Sequence, residues 1–157
     1  EFNVSFLECP LQPEDLEGHK LLVDTPGVPI ALGEHFRTHF QIETWINAPA
    51  LDIFQPDIGR TGISNALKQL EMSLKSGIQV TPHMGMGSPI FQAATLHFSS
   101  ICQSKYLQEY QAGLAENLKE LVKTYWIYEN GFLYMPNIPG LGVEVDETNI
   151  IKNSVNI

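Results

Sequence analysis

Thr81-Pro82-His83-Met84-Gly85-Met86-Gly87-Ser88-Pro89 is the stretch whose reading decides the fold. It follows the short run Ile78-Gln79-Val80-Thr81 and ends in Ser88-Pro89. Ser can cap the first free N–H groups of a helix, and Pro fits the first helical turn. His83 therefore stands where a strand ends and a glycine-rich loop begins, just before a helix. In a parallel β/α fold that edge is where chemistry is placed. A lone loop histidine is ordinarily solvated or structurally bonded; this one gains weight because other strand ends repeat the pattern.

Working outward, Val4–Glu8 reads as a strand closed by Cys9-Pro10, and Pro13-Glu14-Asp15 opens a helix that runs to about Val23. Val28–Glu34 is the second strand, and a helix follows from Phe40 to Asn47. Ala50–Asp57 is the third strand, followed by a loop over Ile58–Gly62. Ile63, Ala66, Leu67, Leu70 and Leu74 then recur at helical spacing up to Gly77, placed as a C′ glycine. Ile78–Thr81 is the fourth strand, Pro89–Ile101 a buried helix, and Lys105–Glu109 a fifth strand. Beyond it, Leu114–Lys123 can be helical. Asn130-Gly131 suits a hairpin turn within Trp126–Met135. Pro136–Gly142 is a crossing, Val143–Asp146 a possible short strand, and the tail from Asn149 carries no readable signal.

The polar residues closing the five strands are Glu8, Glu34, Asp57, His83 and Glu109, at steps of 26, 23, 26 and 26 residues. That is one β/α unit per step. It implies an α/β fold with a parallel sheet and right-handed crossovers. Alternation along a strand puts Val4, Phe6 and Glu8 on one face, with Ile30, Leu32 and Glu34, then Ile53, Gln55 and Asp57, then Leu107 and Glu109. If that face lines a barrel interior, the polar groups converge at its C-terminal mouth.

Glu8 and Glu34, on neighbouring strands, suit a hard divalent cation such as Mg²⁺, which takes oxygen ligands. Asp57 beside His83 fixes the orientation and tautomer of an imidazole, as a general base needs. Glu109 can hydrogen-bond a developing oxyanion or a substrate hydroxyl. Metal, base and hydrogen-bond donor around one cavity fit proton abstraction next to a carboxylate. A metal-dependent aldolase or sugar isomerase on a similar barrel remains an alternative on spacing alone.

Composition narrows the partners. The chain has 157 residues, 43% of them hydrophobic, with a net charge of −9 and a pI near 4.9. With no basic stretch, neither nucleic acid nor an anionic membrane surface is an expected partner. No apolar run approaches the ~20 residues of a membrane span. Cys9 and Cys102 form neither a metal spacing nor a disulfide framework, which suits a reduced, cytoplasmic setting. The chain opens on Glu1-Phe2-Asn3 without a secretory pattern, and it reads as starting within a fold.

Phe6-Leu7-Glu8-Cys9-Pro10-Leu11, Pro13-Glu14-Asp15-Leu16-Glu17-Gly18, Val28–Glu34, Gln55-Pro56-Asp57, Pro82-His83 and Pro139–Val145 together resemble the enolase superfamily. Within it the mandelate racemase group, which includes acid-sugar dehydratases, is the most similar. The resemblance implies a TIM-type (β/α) barrel, of which residues 1–125 supply about five of eight strands, resembling strands four to eight. Residues 126–157 would return toward an N-terminal capping domain that is missing from this sequence. It also implies Mg²⁺, held by Glu8 and Glu34, an Asp57–His83 dyad that moves a proton, and Glu109 near the substrate carboxylate. A Lys or His base with Mg²⁺ beside an enediolate is the superfamily's general scheme.

His35, Arg37 and Arg60 are candidates to meet an anionic substrate, while Met84 and Met86 read as loop packing. The activity implied for the full-length protein is dehydration of a sugar acid, and the 157 residues alone are expected to be inactive. Racemisation, epimerisation or cycloisomerisation within the group is the alternative, as is a catalytically inactive truncated module. An assembly of identical subunits is implied for the full-length protein. Cys9 stands where family members often carry a second acid, and by parity it points away from the cavity. The Asp metal ligand, the Lys-x-Lys strand and the capping domain of the family are not among these residues.

Overall fold

The computed structural model describes residues 2–25 and 27–154. Four short strands, β1 (Leu7–Glu8), β2 (Ile30–Leu32), β3 (Ile53–Phe54) and β4 (Gln79–Val80), form one parallel sheet in the order β1-β2-β3-β4. Leu7 pairs with Ile30, Ala31 with Ile53, and Ile53 with Gln79. Single ladder bonds continue past the strand ends, from Gln55 N–H to the Leu32 carbonyl and from His83 N–H to the Pro56 carbonyl. The mouth residues are thus held in register by the sheet itself.

The crossovers are α1 (Leu16–Val23), α2 (His39–Asn47), the single turn α3 (Ile58–Thr61) with α4 (Ile63–Lys75), and α5 (Pro89–Cys102). Their starts follow local chemistry. Asp15 Oδ1 accepts the Gly18 N–H, and Ser88 Oγ accepts the Phe91 N–H one residue ahead of Pro89. Gly77, at φ 76°, follows the end of α4. The expected loop over Ile58–Gly62 is instead a helical turn, because Asp57 Oδ1 accepts the Arg60 N–H and caps it.

One core lies between sheet and helices, with Ile30, Leu32, Phe54 and Val80 packed on Ile42, Trp45, Leu70 and Phe98. Cys9 packs against this core, as its parity required. On α4 the buried face is Ala66, Gln69, Leu70 and Ser73, while Ile63, Leu67 and Leu74 stay exposed. The apolar periodicity was thus only partly the buried face. Met84 is fully buried in a second, smaller core with Ala93, Leu96, Ala115 and Trp126, whereas Met86 is 87% exposed and packs nothing.

The expected fifth strand over Lys105–Glu109 is not formed: 105–106 are a bend, and 107–109 have no regular structure and make no ladder. Over 105–109 the chain lies beside β4, tied by Thr81 Oγ1 donating to the Leu107 carbonyl at 3.4 Å and Gln108 Nε2 donating to the Pro82 carbonyl at 2.9 Å. Pro82 has no N–H to offer, so the ladder stops where the fifth strand would join it. Val4 and Leu7, at and before the outer strand β1, and Leu107 in this stretch are exposed.

Farther on come α6 (Ala112–Leu118), a 3₁₀ turn (Lys119–Leu121) and an antiparallel hairpin of β5 (Ile127–Glu129) and β6 (Phe132–Tyr134). Its turn is Asn130-Gly131, both at positive φ, as the hairpin reading requires. The possible strand at 143–146 meets Val122 through a single bridge at Val145. A seventh helix, α7 (Glu147–Asn153), was not anticipated; Asp146 caps it by accepting the Asn149 N–H.

Candidate functional site

All five strand-end residues meet at the C-terminal edge of the sheet. The site is built on His83. Its Nδ1 lies 2.8 Å from Asp57 Oδ2, and its Nε2 lies 2.7 Å from Glu34 Oε2 and 3.9 Å from Glu109 Oε2. A carboxylate only accepts, so Asp57 fixes the proton on Nδ1 and turns Nε2 toward the acids. Asp57 is 5% exposed and uses its second oxygen to cap α3.

Glu34 reaches this point by a route that alternation did not foresee. The register puts Glu8 in one row with Ala31 and Ile53, so Ile30 and Leu32 face the helices, opposite to the expected face. Gly33, at φ 136°, breaks the alternation and returns Glu34 to the side of Glu8. Only glycine fits there: a Cβ would stand 2.5 Å from the Phe54 ring. In β3 alternation holds, and Ile53, Gln55 and Asp57 share the face of Glu8.

Electrostatics bind the cluster together. Burial lowers the basicity of His83, but its hydrogen bond to Asp57 and the charges of Glu34, Glu109 and Asp57 outweigh this and raise its pKa. Burial pushes the Asp57 carboxyl up, yet the bonds from His83 and the Arg60 N–H, with both their charges, leave it below the usual carboxylate range. Glu8 is raised, first by burial and then by the charge of Glu109, with Glu34 adding to it. Glu109 is anchored by the Met84 N–H at 2.8 Å and by Gln111 Nε2 at 3.1 Å.

Glu8, His83 and Glu109 each offer one ligand atom, all within 4.8 Å of one another, and so form a candidate metal-binding group. The donor chemistry fits a cation. Three carboxylates face one centre, and the raised pKa of Glu8, due first to burial, also carries the charges of Glu109 and Glu34. A cavity of about 390 Å³ opens beneath the acids, between Phe6, Gln55, Tyr106 and Leu107. Gln55 is 3% exposed, and its Oε1 has no hydrogen-bond partner. A larger cavity of about 580 Å³ lies between α5 and the hairpin, lined by residues such as Leu96 and Phe132, and touches none of the five.

The three substrate candidates differ. Arg60 Nη1 donates to the Glu34 carbonyl at 3.0 Å and lies 3.2 Å from His35 Nδ1, while His35 Nε2 is 2.8 Å from Glu34 Oε1. Arg37 is exposed; its carbonyl accepts from Thr61 Oγ1 and Asn65 Nδ2. Sequence reasoning missed Gln55 and Gln111 as polar members of the site, although Gln55 sits two residues before Asp57 on the same strand face.

Comparison with known proteins agrees with this architecture. Residues 1–149 match the family model described as enolase C-terminal domain-like. The chain is 33% identical over 156 residues to D-galactonate dehydratase of Ralstonia nicotianae, covering 95% of this chain and 41% of the relative. The corresponding dehydratase of Ralstonia pickettii is 32% identical over the same length. Among solved structures, a member of the enolase superfamily from Agrobacterium tumefaciens superposes with a TM-score of 0.87 at 32% identity, over 94% of this chain and 38% of that one. The chain thus spans about two fifths of the length of the proteins it matches. Among the described residues no helix is long and apolar enough to cross a membrane.

Proposed function

Because the chain belongs to the enolase C-terminal domain-like family, we propose that it carries the acid–base chemistry of a Mg²⁺-dependent enzyme that removes the proton α to the carboxylate of a sugar acid, leading to dehydration. The observation that carries this reading is the His83 ring, held at Nδ1 by Asp57 at 2.8 Å with Nε2 turned into a cluster of carboxylates. Identity to the two D-galactonate dehydratases supports the substrate class.

In this reading Glu8 and Glu34 hold the cation. When bound, Mg²⁺ supplies fixed positive charge for the substrate carboxylate, which lowers the cost of the negative charge that develops as the proton leaves. His83 Nε2 takes or returns a proton, and Asp57 stabilises the imidazolium that results. Glu109, oriented by the Met84 N–H and Gln111, hydrogen-bonds the substrate carboxylate or hydroxyl. The rigid ladder beneath His83 limits reorientation of the base between turnovers.

The Glu8–His83–Glu109 group favours a second reading, in which His83 Nε2 is itself a metal ligand, as suits Zn²⁺. His83→Asn in the full-length protein separates the two. The base role predicts loss of turnover on aldonic acids, D-galactonate among them, with Mg²⁺ affinity retained in isothermal titration calorimetry. The ligand role predicts loss of turnover together with loss of metal affinity, Zn²⁺ and Mg²⁺ each titrated in turn. Full turnover in His83→Asn overturns the base role, and a wild-type protein that neither binds Mg²⁺ nor turns over sugar acids overturns the enzyme reading in favour of a non-catalytic module.

A further inference from the structure

Arg60 sits where an arginine facing an anionic substrate is expected, but its Nη1 is turned inward. Nη1 donates to the main-chain carbonyl of Glu34 at 3.0 Å and contacts His35 Nδ1 at 3.2 Å. The guanidinium also lies 3.9 Å from Glu34 Oε2 and, through Nε, 3.9 Å from Asp57 Oδ2. The Arg60 main-chain N–H donates to Asp57 Oδ1 at 2.9 Å. One residue therefore touches the end of β2 and the end of β3.

The contact with His35 has a definite chemical consequence. A guanidinium has no acceptor, so His35 Nδ1 must accept and carries no proton. The ring proton is then on Nε2, which lies 2.8 Å from Glu34 Oε1 and donates to it. His35 thereby holds one oxygen of Glu34, and Oε2 is left turned to His83 and the centre of the acids, 2.7 Å from His83 Nε2. His35 is itself exposed, with 46% of its side chain open to solvent, and Arg60 and Glu34 are the polar partners of its ring among the described residues.

The geometry points to Arg60 as a positioning residue. Acting through the His35 tautomer, it fixes which oxygen of Glu34 faces the metal site. This rests on the reading of Glu34 as a metal ligand. Outer partners of this kind orient the ligand, and their loss typically costs about 10- to 100-fold in metal affinity. Both contacts come from the one nitrogen Nη1, so Arg60→Lys keeps a donor without an acceptor but carries it on a shorter, more flexible stem and restores only part of the effect.

Two measurements on the whole chain test this. The first is ¹⁵N NMR of His35 in the metal-free protein at about pH 8. Wild type is expected to show the Nε2–H tautomer, and Arg60→Gln to lose that preference. The second is Mg²⁺ affinity by calorimetry, expected to fall at least tenfold in Arg60→Gln and by an intermediate factor in Arg60→Lys. A wild-type His35 in the Nδ1–H form overturns the inference outright, with no variant needed. So does an unchanged tautomer and affinity in Arg60→Gln. A wild type that binds no Mg²⁺ refutes the metal reading, while the tautomer measurement still decides the role of Arg60.

Discussion

Gly33→Ala is the most informative single perturbation of the fold. At φ 136° any Cβ is strained, at a cost of about 1–3 kcal/mol. The new Cβ would also stand 2.5 Å from both Cδ2 and Cε2 of Phe54 and 3.1 Å from the Gln55 nitrogen. Phe54 is fully buried and packs on Phe36, so it has nowhere to move, and overpacking adds about 1–3 kcal/mol. The sum is about 4 kcal/mol. With a urea m value of about 2 kcal/mol/M, the unfolding midpoint falls by about 2 M.

Gly77→Ala is the control. Its φ is 76°, but nothing lies within 4 Å of a Cβ there, so only the backbone cost of about 1 kcal/mol remains. Urea unfolding followed by circular dichroism measures both variants. Equal shifts in the two would refute the steric part of the reasoning.

Two further outcomes are expected. The Glu8 carboxyl is raised by burial and by its acidic neighbours, so the folded state holds that proton more tightly than the unfolded chain. In the presence of a chelator, this makes stability fall as pH rises through the carboxylate range. Glu8→Gln therefore melts higher than wild type at pH 7 but not near pH 4, and a lower melting temperature at pH 7 contradicts the burial and acidic surroundings of Glu8. The Cys9 thiol is pushed up to about 11 by burial and by the charges of Glu34 and Glu8. Alkylation by iodoacetamide at pH 8 should then run on the order of a hundredfold below a free thiol, and a free-thiol rate would refute that environment.

Much of the architecture was legible because each β/α unit carries its own punctuation. Ser88-Pro89, Gly77 and Asn130-Gly131 act through local sterics and capping, and each stands where the sequence places it. The convergence of Glu8, Glu34, Asp57, His83 and Glu109 followed from their spacing. What failed depends on tertiary context. The face of β2 was inverted because a single positive-φ glycine resets alternation, which no period-2 pattern contains. The stretch over 105–109 lacks a ladder because Pro82, on its neighbour, offers no donor. The capped turns at Asp57 and Asp146 were present as Asp before a short helical run, but four or seven residues give too little periodicity to register. The exposed Leu67 and Leu74 show that apolar spacing marks a helix without fixing which stripe is buried.

The two oxygens of Asp57 have separate employments, one closing the turn that presents Arg60 and the other steering His83. Evolutionary drift at this position is therefore bounded twice. A lineage that abandoned the chemistry would still need an acceptor at 57 to keep its helical turn, and Asn would meet that need while erasing the charge. Persistence of an Asp or Asn there is thus weak evidence of activity, whereas Asp together with His83 is the stronger mark. For the same reason Asp57→Asn, rather than Asp57→Ala, is the substitution that separates the loss of charge from the loss of the turn.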